Sequence, residues 1–463
     1  MSSEPRVSRW GFLHIRLPLV HMRIEWPEFI QGVVVALSTG LAIVPLLIAY
    51  FGLSFEEGVA FCMILSFFIA SSILFLGEPY APGWITPALP LVLAFVLAGY
   101  ETPTERFQVM SALSIEFALL MFLLGATGLG KKLINHIPRA LKSGIILGAA
   151  LAAFKRVFID DPSHFAERPW ASGLAIAVCL LITFSLPFQR LKGKIPGLAL
   201  LSSLGLLPGF FIAGVVGLWL GELHLDIQWG IFLPPLGDVW AKASPFSIGW
   251  PDFEMYVAAL PITLMTYTIL FGDLLTGITV LQKAQEDRPD DPIDINVNRS
   301  HLMVALRNGL MGISAPFFPT QGVLWTGIHV LIVERWREGP EKMQSLFSGL
   351  AAYYLYAIPF FLMILPLITL LKPFLNIALI LTLILTGFAC AYIAMALPRT
   401  SQERGVALMT AFMLVYFDSW IGLLAGIAAC LLLLGPDSFR DEENLEKASR
   451  LTSRQQQPQV EVE

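Results

Sequence analysis

The hydrophobic positions fall into long runs separated by short polar or proline-bearing stretches, and isolated ionisable residues interrupt several of the runs. The runs lie near 27–50, 57–76, 84–99, 107–129, 139–154, 170–188, 196–220, 254–282, 301–315, 320–333, 345–371, 374–397, 405–417 and 419–435. A helix needs roughly 20 apolar residues to cross the hydrocarbon of a bilayer. Some runs meet that length and others fall short. The pattern therefore predicts an all-α polytopic membrane protein of about fourteen spans, some of them interrupted.

Two interruptions match. The third run opens APGWITPALPLV from Ala81, and the tenth opens APFFPTQGVLWTG from Ala315, half a chain apart. Pro82, Pro87 and Pro90, like Pro316 and Pro319, lack the N–H that a continuous helix requires. Each segment is expected to be extended first and helical afterwards. On the predicted topology the two segments enter from opposite faces, which makes the halves 7+7 inverted repeats. The first repeat covers 27–220 (spans 1–7) and the second 254–435 (spans 8–14). A segment 1–26, a linker 221–253 outside the cytoplasm and a tail 436–463 complete the chain. Residues 84–88 and 319–322 should meet near the bilayer centre, where two half-helix N-termini would offer free N–H groups and dipoles to a ligand.

Composition agrees with the pattern. With 56% hydrophobic and 14% charged residues, the chain is too apolar for a soluble protein. Basic residues test the topology. Arg6, Arg9, Arg16 and Arg23 precede the first span, Lys131, Lys132, Arg139 and Lys142 follow the fourth, and Arg190, Lys192 and Lys194 follow the sixth. Lys283, Arg288 and Arg299, then Arg335, Arg337 and Lys342, then Arg399 and Arg404 fall on the same side. The long 221–253 segment, on the other face, holds Lys242 against Glu222, Asp226, Asp238 and Asp252. The positive-inside rule places both termini in the cytoplasm of a plasma, or bacterial inner, membrane. The N-terminus lacks a secretory pattern, so the first span is expected to act as the signal. Cys62, Cys179, Cys390 and Cys430 all lie in apolar runs and read as small core residues. The net charge of −5 and the lack of a basic, aromatic-interleaved stripe argue against a nucleic acid partner. No phosphate-binding loop, nucleophile elbow or zinc-protease motif is present, so no enzyme chemistry and no cofactor is expected.

Three stretches carry a resemblance. GLAIVPLLIAYFGL (40–53), LFGDLLTG (270–277) and NGLMGISAPFFPT (308–320) resemble the nucleobase–ascorbate transporter family, which includes bacterial uracil and xanthine permeases. The resemblance covers most of 26–435 in layout and implies a core domain of spans 1–4 and 8–11 and a gate domain of spans 5–7 and 12–14. It implies a permease moving a small polar solute, nucleobase-like, by ion-coupled alternating access, in a lipid membrane and as a homodimer. Sulfate permeases share the architecture, usually with a cytoplasmic regulatory domain after the last span. Only a short polar tail follows Gly435, so that domain is not expected here. The sequence departs from the nucleobase pattern at its main positions. Alignment on Gly272 puts Ile269 where the family carries its substrate-binding Glu, with Asp273 at the second polar position. Val323, Leu324 and Trp325 stand where span 10 offers an acid or amide, which leaves Gln321 nearest, and Gly32 and Val33 replace a Gln-His pair.

The implied substrate site is therefore Thr86, Ala88, Thr266, Ile269, Asp273, Thr320, Gln321 and Gly322, with Ser38, Thr39, Thr263 and Thr268 nearby and Trp84 and Trp325 as stacking candidates. Hydroxyls, an amide and two helix N-termini suit either an anion or a neutral heterocycle rich in acceptors. Back-bonding to a helix carbonyl is the structural alternative for each threonine. Asp273 and Glu116 are intramembrane acids, and the pair are the candidates for coupling transport to H⁺ or Na⁺. Arg307 and Asn308 are expected to balance them. An anion transporter or exchanger of sulfate-permease type and an uncoupled channel are the alternatives.

Overall fold

The computed structural model describes residues 8–10, 13–33, 37–160, 162–192, 194–203 and 206–440. The side chain of Ser38 and the tail 441–463 lie outside the described residues. The main helices are α1 Val44–Phe51, α2 Phe55–Leu76, α3 Leu89–Gly99, α4 Pro103–Thr127, α5 Arg139–Lys155, α6 Pro169–Phe184 and α7 Leu207–Leu220. The second half has α8 Phe253–Gln285, α9 Val297–Ser314, α10 Thr326–Arg337, α11 Leu346–Phe361, α12 Leu365–Ala396, α13 Ser401–Tyr416 and α14 Ser419–Leu434. By length and composition α2, α4, α8 and α12 could each cross a membrane alone; α6 qualifies only with the bent continuation Leu186–Lys192. Large apolar side chains such as Trp219 (84% exposed) and Leu432 (83%) face outward, where lipid can cover them.

Side-chain chemistry sets the helix ends. Ser54 with Glu57, Thr102 with Glu105 and Thr400 with Glu403 form reciprocal capping boxes at the starts of α2, α4 and α13. Asp252 caps α8 and Asn296 caps α9.

Two groups of helices follow from where small residues allow close approach. Along α4 and α9, the Ser111 hydroxyl donates to the Gly312 carbonyl at 2.8 Å, and a Cβ on Gly312 would lie 3.0 Å from Ser114 Cβ. α8 packs against α4 on the same side. In the other group α5 lies between α12 and α13: Gly144 abuts Thr410, and Ser143 Oγ donates to the Ala394 carbonyl at 2.7 Å. α6 meets α7 where a Cβ on Gly209 would come within 2.5 Å of Cys179 Sγ.

One boundary differs from the hydropathy reading. The apolar run 345–371 is broken at 362–364, and α12 begins at Leu365, nine residues before the run at 374. The linker explains the break: Phe232 N–H donates to the Met363 carbonyl at 2.8 Å and Leu365 N–H to the Gly230 carbonyl at 3.2 Å, so the chain turns on bonds from a distant segment. Farther along the linker, Lys242 pairs with Glu57 at 2.7 Å and the Ser244 hydroxyl donates to the Ile313 carbonyl at 2.8 Å. The linker is thus docked on α2 and the end of α9.

Candidate substrate site at the crossing of two half-helices

Residues 81–85 and 319–325 run antiparallel as a short backbone ribbon. Ile85 N–H donates to the Pro319 carbonyl at 2.9 Å, Gly322 N–H to Gly83 at 2.8 Å and Trp325 N–H to Ala81 at 2.8 Å. Prolines force this geometry by removing helical donors, and glycines permit the approach. A Cβ on Gly83 would lie 2.6 Å from Trp325 Cβ, and one on Gly322 would lie 2.7 Å from Ile85 Cγ1. Past the ribbon the chain enters a single 3₁₀ turn, Thr86–Ala88, then α3; on the other strand it enters α10 at Thr326.

Neither Ile85 nor Trp325 supplies a side-chain cap, as at the starts of α1, α5, α6, α7 and α12, whereas α2, α4, α8 and α9 all have one. At the start of α10, Thr326 and Gly327 are exposed, and a Cβ on Gly327 would meet nothing within 4 Å. First-turn N–H groups there are left for a ligand or water.

The ribbon seats on α8. A Cβ on Gly277 would lie 2.9 Å from the Tyr80 ring and 3.2 Å from Leu324. Thr266 and Ile269 are buried on this helix, and Thr268 back-bonds to the Leu264 carbonyl at 3.2 Å. Asp273 is half-buried one turn beyond Ile269, next to an exposed Gly272 whose Cβ direction is open. Among the described residues Asp273 has no hydrogen-bond or ion-pair partner, and it lies within electrostatic reach of Cys390 on α12.

The other predicted residues divide. Ala88 is buried at the end of the 3₁₀ turn, and the half-buried Thr86 has its hydroxyl 3.4 Å from the Trp84 carbonyl. Thr320 Oγ1 donates to the Phe317 carbonyl at 2.7 Å, and Gln321 Nε2 to the Leu65 carbonyl at 3.1 Å. The Thr320 hydroxyl is committed to the protein, whereas Gln321 keeps a buried Oε1 with no hydrogen-bond partner among the described residues. Trp325 is held edge-on to Tyr353, with ring centroids 6.2 Å apart. Glu116 accepts from Thr263 Oγ1 at 3.1 Å, ten residues before Asp273 on α8 or about 15 Å along the axis. The structure does not bring the two acids together.

Sequence reading missed Glu78, Tyr80 and His329. Glu78 is 4% exposed, accepts from Ser300 at 3.2 Å and lies 3.6 Å from Arg299. His329 Nδ1 accepts from Ala81 N–H at 3.2 Å and so fixes the start of the ribbon. Arg307, expected to balance Asp273 or Glu116, instead donates to the Gly322 carbonyl at 2.8 Å, and Asn308 donates to the Gln321 carbonyl at 2.9 Å. Glu78 had one sequence signal, an acid directly after an apolar run and before the Ala-Pro motif, but nothing in one dimension marks it as buried.

A cavity of about 700 Å³ opens between α3, α5, α8 and the α13–α14 turn, lined by Tyr100, Arg156, Ile262, Met265 and Phe417 among others. It reaches α8 one residue before Thr266.

No protein-family model and no curated protein matches the sequence. Among solved structures, the transmembrane domain of a cyanobacterium bicarbonate transporter, BicA, is 13% identical with a TM-score of 0.48, over 88% of this chain and 99% of that one. The murine Solute Carrier 26 family member A9 anion transporter, in the inward-facing state, is 14% identical with a TM-score of 0.51, over 89% of this chain and 68% of that one. At such identities the likeness to the murine protein shows the fold: a polytopic helical transporter fold of inverted repeats.

Proposed function

We propose that this chain is a secondary transporter of small anions, with the substrate held at the ribbon between the starts of α3 and α10. One observation supports this over a nucleobase: the two half-helix N-termini carry no side-chain caps, while the position that would accept from a heterocycle's ring N–H groups is Ile269. Free first-turn N–H groups at α10 and the positive ends of both helix dipoles favour a negative ligand, while at α3 Pro87 and Pro90 carry no N–H and Ala88 N–H donates to the Ile85 carbonyl. An apolar side chain at 269 offers no acceptor. The murine anion transporter whose fold this chain resembles supports the same reading.

Asp273 gives the anion reading its coupling. A carboxylate one helical turn from Ile269 repels an anion at the crossing unless a cation neutralises it. H⁺ or Na⁺ at Asp273 and the anion then favour each other's binding, and reciprocity makes them travel together. Movement of the α4, α8 and α9 group against the α5, α12 and α13 group would carry both across the plasma membrane. Uptake into proteoliposomes tests the reading. Bicarbonate, sulfate or chloride should accumulate under a proton or sodium gradient; uptake of uracil or xanthine without any anion would overturn it.

A further inference from the structure

We propose that Arg307 is a specificity-determining residue, supplying the fixed positive charge that makes the ribbon favour anions, and doubly charged anions most. The inference rests on the anion reading above. Arg307 lies on α9, behind the ribbon, and is 2% exposed. Its Nη2 donates to the carbonyl of Gly322, whose own N–H bonds Gly83 across the crossing. The guanidinium is thus one peptide from the point where the two extended segments meet. Thr326, where α10 begins, is four residues farther, at most about 14 Å along an extended chain.

Among the described residues no carboxylate touches the guanidinium, although Glu78 lies within its electrostatic reach. Among the described residues Arg307 forms no ion pair, and its Nε and Nη1 have no hydrogen-bond partner. The nearest buried acid, Glu78, is engaged by Ser300 and Arg299. Arg299 also holds Asp294 at 2.6 Å, but that carboxylate is 59% exposed and screened by water. Glu78 is thus shared between the two buried guanidiniums of Arg299 and Arg307, and only Arg299 has a second carboxylate, Asp294, bound to it. One bond to a carbonyl does not offset burying a guanidinium. An anion at the crossing does so, because in a low-dielectric interior a charge acts over several ångströms. The interaction scales with ligand charge, which separates a selecting charge from a brace that only holds Gly322 in place.

The full-length protein with Arg307→Gln and with Arg307→Lys, reconstituted in liposomes, tests this with sulfate and chloride as probes. Glutamine keeps a donor for the Gly322 carbonyl and removes the charge, whereas lysine keeps the charge. Arg307→Gln should weaken sulfate by about tenfold or more and chloride by less, while Arg307→Lys stays near the unmodified protein for both. Unchanged sulfate affinity in folded Arg307→Gln would overturn the inference and leave anion transport standing. Equal loss for both anions, or loss of folding in both variants, would make Arg307 a brace. An unmodified protein that binds neither anion would overturn the proposed function and this inference together.

Discussion

Gly322 donates its backbone N–H to the Gly83 carbonyl at 2.8 Å, and a Cβ on Gly322 would sit 2.8 Å from that same oxygen. The contact that joins the two halves of the molecule leaves no room for a side chain at this position. Gly322→Ala must push the strands apart or bend Ile85 away. It should destabilise the protein by about 1–3 kcal/mol, the usual range for overpacking. Thermal unfolding in detergent should show a lowered midpoint. A midpoint equal to the unmodified protein would mean that the ribbon yields without strain.

Much of the ribbon was legible because proline and glycine act locally. Pro82, Pro87, Pro316 and Pro319 forbid continuous helix whatever surrounds them, so two matched breaks could be read from the sequence alone. What Arg307 would bind was not legible. Its partner is the carbonyl of Gly322, and a carbonyl leaves no mark in a sequence, whereas Asp273 and Glu116 stood out as acids. Likewise the start of α12 at Leu365 depends on bonds from Gly230 and Phe232, more than a hundred residues earlier. Hydropathy alone joined what those bonds separate.

Glu116 and Thr263 offer a second test. Their 3.1 Å bond lies about 15 Å along α8 from Asp273, so protonation of Glu116 should not drive transport. Glu116→Gln preserves an acceptor for the Thr263 hydroxyl and should keep gradient-driven uptake within about twofold of the unmodified protein. Loss of uptake with the fold intact would place Glu116 on the ion path after all.

Outside the spans, the loop after α8 makes a pH-dependent contribution whose sign is fixed. Arg288 is 1% exposed and donates to the Trp336, Met343 and Gln344 carbonyls. Its side-chain bond to Asp290, 2.9 Å from Nε, holds that carboxyl below its ordinary range. A depressed folded value means the stabilisation is present above the unfolded pKa, about 3.9. It is lost as pH falls through the folded value. Because Asp290 is 47% exposed, Asp290→Asn should cost under about 1 kcal/mol at neutral pH. The difference between variant and parent should shrink as pH falls through the folded value. Arg288→Met should cost more, roughly 3 kcal/mol, because three carbonyls lose their donor. Unfolding curves for the three proteins across the acid range would coincide if the loop contributes nothing.

Asp273 carries the most direct test of coupling. It is half-buried without a hydrogen-bond or ion-pair partner among the described residues, beside Gly272, whose Cβ direction is open, and within electrostatic reach of Cys390 on α12. A structural carboxylate in such a place would be expected to hold a donor, and none is present among the described residues. Asn at this position keeps the size and hydrogen-bonding capacity of Asp but cannot take up or release a charge. Asp273→Asn should therefore fold and bind anion, with affinity no longer dependent on the coupling cation. Uphill accumulation should be lost, while exchange of anion between loaded compartments persists, because exchange never returns an empty, charged carrier. Proteoliposomes measure both in one preparation. Accumulation at the parent level under the same gradient would remove Asp273 from coupling, and a variant that does not fold would make it a structural residue instead.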